Sequence, residues 1–156
     1  MASESELFEF LDTGCLMDRD LELVLVGKDP GDPARGWIPA YRFTMRLVGS
    51  DEEIGRIELR VGDTEPLHRY AGHIGYGVLE AYRGHRYAAR ACRLLLPLAR
   101  RHGMRTLWIT CNPDNLASRR TCELLGASLV EIVDVPEDTD MHQRGERQKC
   151  RYRLDL

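Results

Sequence analysis

The chain has 156 residues, 43% of them apolar, a length suited to one domain and an apolar fraction sufficient for one buried core. Its formal charge of −3 gives no overall basic field, so nucleic acid is not an expected partner even though arginines gather between Arg83 and Arg120. Five scattered cysteines without a Cys-x-x-Cys pair argue against a metal site and for free thiols in a reducing compartment, while the acidic start and the lack of a run of about 18 apolar residues predict a cytoplasmic protein with no membrane contact.

Ser3 and Glu6 have capping-box spacing, and Leu7, Phe8 and Leu11 share a face before Gly14, which predicts a short amphipathic helix serving as a lid or brace. Leu21, Leu23 and Leu25 alternate with Glu22, Val24 and Val26 as in a strand, and Pro30, Gly31, Pro33 and Gly36 then fill a loop too broken for a helix. Tyr41, Phe43, Met45 and Leu47 alternate with polar residues, as do Ile57, Leu59 and Val61 after the Gly49-Ser50-Asp51 turn. These are expected to be antiparallel strands with one wet face. The run Gly72–Leu79 reads as a central strand whose glycines admit another backbone or a ligand. A helix follows over about 87–101, with Ala88, Ala91, Cys92, Leu95, Leu96 and Ala99 at 3 and 4 spacing, Gly103 as the stop, and a bend at Pro97. Leu107–Thr110 is a short buried strand, Asn115 can cap a helix ending before Gly126, and strands over about 128–135 and 148–155 form a hairpin. The order strand, helix, strand, helix implies a parallel pair.

Residues 72–89 carry the clearest chemistry. A strand breaks into Arg83-Gly84-His85-Arg86-Tyr87-Ala88, which opens the long helix. The free amides and the positive dipole end of that helix face a basic loop, an arrangement that cradles phosphate.

These residues resemble the GNAT superfamily of acyl-CoA-dependent N-acetyltransferases over roughly residues 40–156. Its pyrophosphate loop reads Gln or Arg, two variable residues, Gly, one variable residue, then Gly or Ala. Arg83-Gly84-His85-Arg86-Tyr87-Ala88 follows it except for Arg86 in the place of glycine. The second match is Asn112-Pro113-Asp114-Asn115-Leu116-Ala117-Ser118, closing at Leu125-Gly126-Ala127. The third, Gly72-His73-Ile74-Gly75-Tyr76 with the late pair Arg151-Tyr152, is similar to a bacterial subgroup of predicted acetyltransferases.

The resemblance implies one α/β (α+β) domain over 1–156: a twisted, mostly antiparallel mixed sheet with a central splayed parallel strand pair and helices on both faces. Residues 1–39 would be an atypical N-terminal part shaping the acceptor side, because the 30–36 loop cannot hold the superfamily's usual helix pair. The implied cosubstrate is acetyl-CoA (coenzyme A), bound by Gly77, Val78, Leu79, Arg83, Gly84, His85, Arg86, Tyr87, Ala88, Ala89, Asn112, Asn115 and Ser118. The amide of Val78 or Gly77 would polarise the thioester carbonyl, and Arg119 or Arg120 would reach the 3′-phosphate. The implied activity is direct acetyl transfer, in a ternary complex, to the primary amine of a small acceptor, and a homodimer is admitted. A catalytically silent acyl-CoA-binding module and a protein N-terminal or lysine acetyltransferase stand as alternatives.

For catalysis, His73 sits where some members carry a glutamate base, and its unperturbed pKa of about 6.5 suits proton acceptance. A structural hydrogen-bonding role stands beside that reading. Tyr76 alternates to the other side and reads as core or pocket wall. Many members place an acidic tyrosine seven residues beyond the asparagine, where this chain has Cys122; that thiol is either the acid or small apolar packing. Ser118 resembles a serine assigned to the acid role or to a cofactor hydrogen bond. Glu58 and Arg60 share a strand face and are candidates for the acceptor side.

Overall fold

The computed structural model describes residues 8–156. Strands β1 (Leu16–Asp18), β2 (Leu21–Asp29), β3 (Ala40–Leu47), β4 (Glu53–Arg60) and β5 (Ile74–Val78) form one sheet in that order, with every pairing antiparallel. Helix α1 (Tyr87–Arg101) follows, then β6 (Thr106–Cys111), α2 (Leu116–Leu124), β7 (Ser128–Asp134), a short α3 (Asp140–Gln143) and β8 (Gln148–Asp155). The last three strands make a second antiparallel sheet in the order β6-β8-β7.

Alternation dictates which face is buried. Tyr41, Phe43 and Met45 of β3 and Ile57 and Leu59 of β4 point inward and are at most 2% exposed, whereas Arg42, Arg56 and Glu58 point away. Against them α1 sets Ala91, Cys92, Leu95, Leu98 and Ala99, one stripe of the helix and all buried. Each fully buried leucine of this layer contributes about 1.5–3 kcal/mol. The helix is continuous through Pro97, which lies on its exposed face.

One expectation changes. Residues 1–7, with most of the N-terminal helix pattern, lie outside the described residues, and 8–15 are not helical. Aromatic contacts hold this stretch instead: the Phe8 ring stacks on His102 at 5.1 Å, Phe10 meets Tyr41 edge-on at 5.0 Å, and Leu11 N–H donates to Tyr41 Oη at 2.8 Å. The segment is a brace without a helix.

The expected parallel neighbours, β5 and β6, share no ladder. Among the described residues the backbone hydrogen bond that links them lies at their base, where His73 N–H, just before β5, donates to Trp108 C=O at 2.7 Å. There a Cβ on Gly72 would lie 3.0 Å from the Trp108 carbonyl oxygen, at φ +75°, so this approach needs glycine. Beyond it the strands part, and the opening is where the two sheets present backbone to each other. No helix among the described residues is long and apolar enough to cross a membrane.

Candidate active site

β5 has β4 on one side and the opening on the other. Leu79 N–H donates to Ile54 C=O at 2.9 Å, and Arg60 N–H to His73 C=O at 2.7 Å. Pairing alternates along an antiparallel ladder, so Gly75 and Gly77 turn their backbone groups to β4, while Tyr76 and Val78 turn theirs to the opening. The Leu79 amide is therefore committed to β4, and of the two candidate amides for the thioester carbonyl only that of Val78 is free. The Val78 carbonyl accepts from Arg83 Nε at 3.0 Å.

The loop after β5 takes the geometry that glycine would normally supply. Gly84 has φ +91° and Arg86 φ +63°, and Arg86 is the N-cap of α1 with no side-chain cap hydrogen bond. An L-residue in this left-handed region costs roughly 1–2 kcal/mol. The strained turn leaves the first-turn amides of Tyr87, Ala88 and Ala89 without intrahelical partners, at the positive end of a 15-residue helix.

Two cavities converge on the opening. A groove of 480 Å³ runs between Gly77, Val78, Arg83, Gly84, Arg86, Tyr87 and Ala88 on one wall and Asn115, Ser118 and Arg120 on the other. A second pocket of 300 Å³ lies toward Arg60, Tyr70, Asn112, Arg144, Glu146 and Lys149. Tyr76, Asn115 and Ser118 line both. Asn115 caps α2, its Oδ1 accepting from Ser118 N–H at 3.1 Å, and this fixes Ser118 facing β5. There the Tyr76 hydroxyl lies 2.6 Å from Ser118 Oγ. Burial pushes the phenol well above its usual range, so it stays protonated and able to donate.

The remaining predicted residues lie elsewhere. Both ring nitrogens of His73 are committed: Trp108 N–H donates to Nδ1 at 2.8 Å, so Nε2 carries the proton and faces the Gly62 carbonyl at 3.1 Å. Only 2% exposed, it is pulled down to about 4 by burial. It has no free lone pair for a substrate proton, which removes the physical basis of the base reading. Cys122 is fully buried against Ile109, Cys111, Cys150 and Tyr152, and burial pushes its thiol up to about 12. It does not line the groove, so small apolar packing is the role its position supports. Asn112 lies in the second pocket, where its Oδ1 accepts from Lys149 Nζ at 2.8 Å. Leu79 and His85 flank the groove without lining it, and the Ala89 side chain is buried under α1. Arg119 turns inward, Nε donating to Tyr152 Oη at 3.1 Å, which leaves Arg120 on the groove. Sequence reasoning missed Lys149 as a site residue and gave Tyr76 only as core or pocket wall. Alternation about His73 placed Tyr76 on the opposite face but carried no sign of Ser118 there.

The groove fits an extended chain ending in a pyrophosphate, with an unpaired strand edge for the first and free helix amides for the second. A family model described as the acetyltransferase (GNAT) domain matches residues 28–128. No curated protein sequence matches the chain. Among solved structures, the acetyltransferase (GNAT family) from Bacillus anthracis superposes with a TM-score of 0.56 at 21% identity, over 73% of this chain and 65% of that one. For the microcin C7 self-immunity acetyltransferase MccE, solved with acetyl-CoA and AMP, the values are 0.58, 19%, 75% and 61%. For one crystal form of the ribosomal L7/L12 alpha-N-protein acetyltransferase RimL they are 0.62, 18%, 91% and 98%. The chain thus spans 65% and 61% of the first two, less than two thirds of each, and at these identities the likeness is one of fold. Because the family model spans more than half of the sequence, including the parted strands and the loop that opens α1, the chain belongs to the GNAT family of acetyltransferases.

Proposed function

We propose that the protein is an N-acetyltransferase that binds acetyl-CoA in the groove and passes its acetyl group directly to a primary amine entering from the second pocket. The observation that carries this reading is the convergence of the two cavities on Tyr76, Asn115 and Ser118, which lets two substrates meet without either leaving its own cleft.

In this reading the pantetheine arm adds to the free edge of β5. Its amide takes the Val78 carbonyl from Arg83, whose guanidinium is then free to turn toward phosphate. The amides from Gly84 to Ala88 and the start of α1 hold the pyrophosphate, and Arg120 offers a charge to the 3′-phosphate. The Val78 N–H polarises the thioester carbonyl. The amine nitrogen forms a bond to the carbonyl carbon and the carbon–sulfur bond breaks. Tyr76 donates its phenolic proton to the departing thiolate and regains one from water in the second pocket through Ser118 Oγ, and the proton lost by the amine after attack passes to water. Neither His73 nor Cys122 takes a proton in this scheme.

Calorimetry with acetyl-CoA, followed by thiol release across an amine and peptide panel, tests the reading. Micromolar binding with turnover of at least one amine is expected. Absence of binding removes the cosubstrate assignment, and tight binding with no turnover makes the protein an acyl-CoA-binding module.

A further inference from the structure

The second pocket carries more positive charge than its own ion pairs neutralise. Arg60 has its charge paired within the fold: Nη1 donates to the Ala71 and Gly72 carbonyls at 2.9 Å each, and Nη2 pairs with Glu58. Two further cations share one carboxylate, with Lys149 Nζ 2.6 Å from Glu146 Oε1 and Arg144 Nη2 3.1 Å from Oε2. The Lys149 hydrogen bond holds the Glu146 carboxyl below its usual range, so it stays ionised, and two positive charges face one negative charge. The Lys149 side chain is only 10% exposed. Among the described residues two of its three N–H donors are used, by Glu146 and by Asn112 Oδ1. Arg144 has one contact of its guanidinium among the described residues. A nearly buried ammonium with a spare donor and an uncompensated charge beside it is a binding element for an anion.

We infer that the acceptor is a small amine that also carries an anionic group, a carboxylate or a phosphate, held by Lys149 and Arg144 while its amine reaches Tyr76 and Ser118. This rests on the transferase reading and names its substrate class. The 300 Å³ of the pocket matches a small molecule, and the excess positive charge disfavours polyamines, whose second ammonium would lie against it.

The test uses matched acceptors: an amino carboxylate against its methyl ester, and an aminoalkyl phosphate against the corresponding amino alcohol, with an acidic and a neutral peptide alongside. Thiol release gives kcat/KM for each, and calorimetry on the CoA-saturated protein gives binding independently of turnover. The anionic member of at least one small-molecule pair should be favoured at least tenfold, mainly through KM, and the pair that shows it separates carboxylate from phosphate. Lys149→Met should collapse that ratio toward one. Arg144→Gln, at an exposed side chain, should reduce it severalfold should the buried substitution prevent folding. Equal use of both members, preference for the neutral ones, or turnover confined to peptides overturns the inference while leaving the transferase reading intact. Loss of acetyl-CoA binding itself would instead remove the reading beneath it.

Discussion

Tyr76 and His73 show how burial sends two titratable side chains of one strand region in different directions. Tyr76 keeps its proton and points it at the meeting place of the two cavities. Tyr76→Phe is expected to lower kcat about a hundredfold, the lower end of what a positioned proton donor contributes. Acetyl-CoA affinity should stay within about threefold, since the ring that lines the groove is retained. An unchanged kcat in single-turnover thiol release would remove the phenol from the reaction. His73 is held neutral, with a folded pKa of about 4 against about 6.5 in the unfolded chain. The unfolded state therefore binds more protons between these values. The contribution of His73 to stability is complete above pH ~6.5, declines as pH falls through the window, and has lost about 3 kcal/mol near pH 4. Urea midpoints of the wild type and His73→Gln, followed from pH 7.5 to 4.5, should converge as the pH drops. Parallel curves would show that His73 does not titrate in this range. Ser118 was named in the sequence by its resemblance to a family serine, and the Asn115 cap, whose Oδ1 accepts from Ser118 N–H, holds it in place. Lys149 was not, because the partner that gives it meaning, Asn112, is 37 residues away and no local pattern joins them.

Elements that rest on periodicity were readable. The expected helix bounds, 87 and 101, are those of α1, since 3 and 4 spacing over four turns has no strand equivalent. What periodicity cannot encode is a turn or an approach. The π-helical turn Leu67–Ala71 closes with Gly72 N–H donating to Leu67 C=O at 2.6 Å; it is too short for a pattern and serves to deliver Gly72 to Trp108. The Phe8–Leu11 stretch has helical spacing, but the Tyr41 hydroxyl and the His102 ring bind it in another conformation. At the α1 entry loop Arg86 stands in the place of glycine, and the chain adopts φ +63° there regardless. Arg86→Gly should relieve this, raising stability by about 1 kcal/mol, a balance between lost αL strain and the greater freedom of glycine in the unfolded chain. Acetyl-CoA affinity should weaken a few-fold as one guanidinium leaves the groove, an effect that fades at high salt. Thermal unfolding and calorimetry at low and high salt read both. A drop in stability would mean that Arg86 contributes contacts that outweigh its strain.

At the scale of the whole molecule, two antiparallel sheets are joined near the opening by a small set of bonds: the Trp108 carbonyl and amide to His73 and the Tyr76–Ser118 contact. A ligand lying between β5 and α2 touches both halves, so it should stabilise the protein as a unit. At a hundredfold excess over Kd the gain is about 2.7 kcal/mol, or about 5–10 °C in Tm for a chain of this length. Two glycines separate that ligand effect from folding. A Cβ at Gly77 meets nothing within 4 Å, yet the residue lines the groove. Gly77→Val should therefore leave the ligand-free Tm unchanged or slightly raised, as a β-branched residue suits a strand, while filling the path of the added chain and abolishing the ligand-induced shift. Gly72→Ala should do the reverse. Its Cβ would press the Trp108 backbone at 3.0 Å from a φ of +75°, lowering the ligand-free Tm by forcing the base of the opening apart. Differential scanning fluorimetry of both variants with and without acetyl-CoA decides the matter. A Gly77→Val protein that keeps the full shift would place the ligand outside this groove, and with it the point where the two substrates meet.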